Sequence, residues 1–239
     1  MDEQKQPWPF YLKFIALCIV AAIISGVFSV ITDSVYNHFK SLYLLHPYLA
    51  LIYVPTVFAI IAFLMKRYFP YTGGSGLPQG YAIDVFSPEM LQNVYSLRTM
   101  WGKMLLTIMT IGSGAALGRE GPTVQICASI LSAMNTISLT YKKLLIRIGS
   151  GIGIATAFNT PLGGVMFAFE EYLKESRFYA NLLLLLGIAI ASSVSIVIYG
   201  NYSYMGEVPI ASLACDSKTI LLAIISGIIC GLSGTLFTW

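Results

Sequence analysis

The residues with the most chemistry in them are Gly118-Arg119-Glu120-Gly121-Pro122. An arginine and a carboxylate sit here between two uncharged, largely apolar runs, Met104 to Gly118 and Gly121 to Tyr141. Inside hydrocarbon such groups cost roughly 2.5–3.5 kcal/mol each, so their presence points to a function by default. Glycine lets the backbone bend and approach a ligand, and proline suits the first turn of a new helix. The pattern predicts a helix that breaks and restarts, its fresh N-terminus turning free N–H groups and partial positive charge toward an anion.

A second interrupted segment, Pro70 to Gly80, crowds glycines and prolines around Ser75. Its hydroxyl, the amides of Gly76 and Leu77, and those around Gly118, Arg119, Glu120 and Gly121 form one candidate anion-binding set. Each helix end adds about half a positive charge. No lysine belongs to either turn, which suits a small anion that must leave as well as bind. Glu120 then reads as a tethered competitor. Its carboxylate occupies the donors a free anion would use, and protonation removes its charge and releases it.

These turns need a membrane scaffold. The chain is 56% hydrophobic and only 10% charged, against about 25% charged in soluble domains. That predicts an all-α, polytopic membrane protein of tilted and broken, re-entrant helices. Met1 to Pro9 reads as a cytoplasmic tail, and the transmembrane domain as residues 10–239. Phe10 to Phe39 is one long helix, and Ser41 to Met65 a second span with His38 and His46 at the turn between them. A half-helix follows Ser75 to Asp84, and Ser87-Pro88-Glu89 caps a surface helix. Thr99 to Leu117 is a span ending at the Arg119-Glu120 turn. Pro122 to Asn135 is a second half-helix, and Lys142 to Phe158 is rich in closely packing glycines. Asn159-Thr160-Pro161 breaks that helix, and Pro161 to Glu175 forms the next. Phe178 to Ile198 spans, Gly200 to Ser217 is a polar loop, and Thr219 to Trp239 is long enough to cross. This topology gathers Lys66, Arg67, Arg98, Lys103, Lys142, Lys143, Arg147, Lys174 and Arg177 at one face, leaving Lys40 and Lys218 opposite, as the positive-inside rule asks.

Several classes fall away. A net charge of +3 does not suggest nucleic acid. Cys18, Cys127, Cys215 and Cys230 are isolated, and two histidines offer no metal site, so neither metal nor cofactor is expected. Gly73-Gly74-Ser75-Gly76 also fits the nucleophile turn of a rhomboid-like intramembrane serine protease, but no histidine follows His46 to take the serine proton. A non-transporting membrane subunit is a third class; it would not depend on Glu120. Read alone, Glu170-Glu171 is a hydrated helix end near Lys174 and Arg177.

Gly74-Ser75-Gly76-Leu77-Pro78, Gly118-Arg119-Glu120-Gly121-Pro122 and Ala157-Phe158-Asn159-Thr160-Pro161-Leu162-Gly163-Gly164-Val165 with Glu170-Glu171 together resemble the CLC family of chloride channels and chloride/proton antiporters. The resemblance runs from about Phe10 to Trp239 and covers the first of that family's two inverted halves. It implies that Ser75 coordinates chloride, that Glu120 is the external gate, and that the Glu170-Glu171 pair, through Glu171, transfers protons internally. A carboxylate at 171 favours an antiporter, with a passive voltage- or pH-gated chloride channel as the alternative. Gln79 departs from the glutamate many members carry there. The resemblance further implies a homodimer, residence in a plasma or inner membrane, and a second half beyond Trp239 that completes the pore.

Overall fold

The computed structural model describes residues 7–134, 138–172, 178–201 and 217–238. The described residues are helical, in the order α1 (Trp8–Leu45), α2 (Ala50–Arg67), α3 (Leu77–Tyr81), α4 (Pro88–Val94), α5 (Leu97–Gly112), α6 (Glu120–Ser132), α7 (Leu139–Phe158), α8 (Pro161–Tyr172), α9 (Phe178–Tyr199) and α10 (Ser217–Thr238). Among the described residues, four helical stretches are long and apolar enough to cross a membrane: Trp8–Leu45, Pro47–Arg67, Asn181–Tyr199 and Thr219–Leu236. The chain is a multi-pass integral membrane protein. Met205–Trp239 forms a compact unit of its own, within which α10 is the described element.

The first helix starts inside the expected tail, at Trp8, with Pro7 as its N-cap. It has 38 residues, about 57 Å at 1.5 Å per residue. The hydrocarbon core is about 30 Å thick, so α1 crosses at a strong tilt or extends beyond it. It also runs past Phe39, because nothing before Leu45 breaks a helix. Pro47 does: it pushes His46 out of helical geometry, to φ −140 and ψ 71. His38 therefore lies within α1 rather than at the turn, and the second span begins at Ala50 rather than Ser41.

Ser87 caps its helix as read, and Ser96 is a second cap that the sequence reading did not name. Ser87 Oγ accepts from Met90 N at 3.2 Å and Ser96 Oγ from Thr99 N at 3.1 Å, starting α4 and α5. The helix expected to reach Leu117 stops at Gly112, and Gly114 turns the chain at φ 83. Asn159 takes a left-handed conformation, φ 54, that ends α7, and Pro161 opens α8. Lys174, Arg177, Cys215 and most of the Gly200 to Ser217 loop lie outside the described residues.

Helix α6 is the hub, buried from Gly121 to Ser132. A Cβ at Gly149 would sit 2.6 Å from Ala128 Cα, and one at Gly153 equally close to Val124 Cα. The bare stripe on α7 thus lets two helix backbones touch, giving dispersion and polar contacts where lipid offers no hydrophobic drive. Phe14, Cys18 and Phe28 of α1 and Leu184 and Ile188 of α9 close over this pair. The short helical turn ending at Asp84 is tied to α7 through Arg147 at 2.5 Å and Lys143 at 3.7 Å.

Candidate anion site

Two glycine turns define the site. Gly74 and Gly76 have φ 79 and 106, which side chains strongly resist. A Cβ on Gly76 would run into the Gly121 carbonyl oxygen. One on Gly121 would run into the Ser75 carbonyl, with Ser75 Cβ at 2.9 Å. The Ser75 turn and the start of α6 are therefore in backbone-to-backbone contact. Both positions are glycine because nothing larger fits.

Three side chains brace the Ser75 turn. Gln79 Nε2 donates to the Gly73 carbonyl at 2.8 Å. Gln125, buried in α6, donates to the carbonyls of Tyr71 and Val94, each at 3.2 Å. Lys103 of α5 donates through Nζ to the Thr72 carbonyl at 2.9 Å and the Gly74 carbonyl at 2.5 Å. Ser75 Oγ accepts from Leu77 N at 3.3 Å. A hydroxyl used as an acceptor still has its own proton to give.

Between the turns lies a cavity of about 380 Å³. Ser75, Leu77, Gly118, Glu120 and Gly121 line it together, so residues from both expected half-helix starts share one space. Gly76 is buried where the turns touch. Glu120 is the first residue of α6, where the helix dipole favours a negative charge, and its Oε2 folds back over Gly118, so a side chain there would first have to displace the carboxylate.

Arg119 goes elsewhere. Its Nη1 meets Asp33 Oδ2 at 2.6 Å and the Ser29 carbonyl at 3.2 Å. It lines a second cavity of about 420 Å³, with Asp33 and Tyr36, that shares Leu117 and Gly118 with the first. The adjacent arginine and glutamate thus serve opposite sides of one backbone strand.

The expectation that no lysine attends the turns is corrected. Lys103, expected at a membrane face, is 2% exposed and lines the cavity. Burial of an ammonium is costly unless it is well hydrogen-bonded. Two backbone carbonyls of the Ser75 turn supply that, and its charge remains beside the cavity. The missed signal is periodic: Lys103, Leu106, Thr107 and Thr110 recur at helical spacing and all line the cavity. Glu170 is exposed on α8 and does not line it; the side chain of Glu171 lies outside the described residues. Neither His38 nor His46 lines the cavity with Ser75, so the histidine that a rhomboid-like serine protease would use is not among its described lining residues.

Residues 57–239 match the family model described as voltage gated chloride channel. The chain belongs to the CLC family. It is 32% identical, over 184 residues, to H(+)/Cl(−) exchange transporter ClcA from Citrobacter koseri and equally to ClcA from Salmonella newport. The match covers 73% of this chain and 37% of those CLC relatives. A slow cyanobacterial Cl−/H+ antiporter is similar in structure, with TM-score 0.74 and 26% identity, over 96% of this chain and 56% of the other. A CLC-type fluoride/proton antiporter shares the fold, with TM-score 0.70 and 21% identity, over 96% and 57%. The chain thus spans well under two thirds of the length of these CLC proteins.

Proposed function

We propose that this protein exchanges chloride for protons across a membrane, with Glu120 as the gate. The observation that carries the reading is the shared cavity. Ser75 and Glu120 come from turns far apart in sequence yet line one space, and their backbones touch through Gly76 and Gly121. The donors there suit a small anion: a serine hydroxyl, the first amides of α6 and a nearby buried ammonium. Glu120 competes for them. When its carboxylate takes up one proton it becomes neutral and gives up those donors, and one chloride takes its place. Losing the proton reverses the exchange. Relatives named as H(+)/Cl(−) exchangers support the same reading.

On this reading Glu171, beside Glu170, passes protons from the other side of the membrane. A second inverted half closes the pathway, and two copies pair with one pathway each in a plasma or inner membrane. The test is transport by the intact polypeptide in liposomes, with chloride and pH followed together. Glu120→Gln cannot gain or lose a proton, so chloride should still move while proton movement stops. Coupled exchange unchanged in that variant would reject Glu120 as the gate.

A further inference from the structure

The polar wall that faces the two turns is helix α5, and one residue on it stands apart. Thr107 is 4% exposed and lines the cavity shared by Ser75, Lys103 and Glu120. Serine and threonine in these helices ordinarily hand their proton back to the carbonyl one turn earlier. Thr110 does so to Leu106 at 2.6 Å, Thr123 to Arg119 at 2.7 Å, Thr156 to Ile152 at 2.9 Å and Ser129 to Gln125 at 2.8 Å. Thr107 makes no such bond to Lys103, nor any other among the described residues. Its oxygen is not sealed either, unlike those of Gln79 Oε1 and Ser192 Oγ, which are enclosed without a partner. The surface it keeps therefore opens on the cavity. A buried hydroxyl that forgoes its local acceptor needs another partner.

We propose that Thr107 is an anion-binding residue: its hydroxyl donates to chloride from the α5 side, opposite the donors of the Ser75 turn and α6. This rests on the cavity being the anion site. The placement fits. Thr107 is one helical turn beyond Lys103, so ammonium and hydroxyl lie on one face of α5. Because Lys103 already gives two of its protons to Thr72 and Gly74, its charge attracts an anion in general while Thr107 supplies a directed donor. A hydroxyl selects for anions that accept strong hydrogen bonds, so it favours chloride over thiocyanate.

The experiment is titration calorimetry of the intact, detergent-purified protein with chloride and with thiocyanate. The variants are Thr107→Val, Thr107→Ser and Ser75→Ala. Valine keeps the branched shape and removes only the hydroxyl. The expected result is that Thr107→Val weakens chloride about tenfold and thiocyanate much less, since a hydrogen bond to a charged group is being removed. Serine should recover most of the loss. If Ser75→Ala weakens chloride while Thr107→Val binds it like the wild type, Thr107 is not a ligand and the cavity remains the site. If the wild type gives no chloride heat at any concentration, both readings fail. A Thr107→Val protein that melts well below the wild type and loses both anions equally would mark a structural role and overturn the proposal.

Discussion

Replacing Gly76 by alanine tests the contact on which the site depends. Two costs follow. At φ 106 an L side chain is strained by about 1–3 kcal/mol. The new methyl also meets the Gly121 carbonyl, with Gly121 C at 3.1 Å and Gln125 Cβ at 3.2 Å behind it. Backbone atoms cannot rotate away, so overpacking adds about 1–3 kcal/mol. The sum is about 2–6 kcal/mol. Gly121→Ala bears only the overpacking, about 1–3 kcal/mol, because its backbone is helical. Gly227→Ala, with nothing within 4 Å, should be neutral or stabilising by up to about 1 kcal/mol. Thermal unfolding in detergent should rank them Gly76→Ala lowest, then Gly121→Ala, then Gly227→Ala. Prying the turns apart also moves Ser75 and the amides of α6 out of joint. Losing one charge-assisted bond weakens chloride by about 1.5 kcal/mol or more, over tenfold. Should Gly76→Ala melt with the wild type and keep its chloride affinity, the described contact between the turns is wrong.

Other expectations follow from the same geometry. Lys103→Met keeps the apolar stem but strips the Thr72 and Gly74 carbonyls of their donor. It should cost at least about 2 kcal/mol in unfolding measurements, and a wild-type melting curve would show the ammonium to be dispensable. Gly153→Leu must push α7 off Val124 and Thr123, and should increase aggregation on size exclusion relative to the wild type; a variant that elutes like the wild type would refute the close packing. Asp33→Asn should cost about 1 kcal/mol or less, because Asp33 is 66% exposed in its pair with Arg119. The loss should shrink in 1 M salt, and a large salt-independent loss would mean the pair is more enclosed than described.

The sequence by itself determined the class of protein and several of its breaks, although the first was read at Phe39 rather than at His46 and α5 was read as reaching Leu117 rather than Gly112. A chain so poor in charge must satisfy its backbone internally in lipid, so it forms helices. Where those helices stop depends on local stereochemistry: Pro47 after His46, the glycines before Leu77 and Glu120, and Asn159 before Pro161 each end or begin an element by their own backbone preferences. Ser75 and Glu120 were legible for that reason, as polar groups at helix starts. The structure alone decided which polar groups face the same space. Arg119 and Glu120 are neighbours in sequence, yet one meets Asp33 and the other the cavity, because α1 passes on only one side of that strand. Lys103 looked like an interfacial anchor, since apolar periodicity does not say what a buried face of α5 will meet. Only packing brings Thr72 and Gly74 to it from some thirty residues away. Long-range contacts carry no signal in local spacing, and the two sides of the cavity meet through just such contacts.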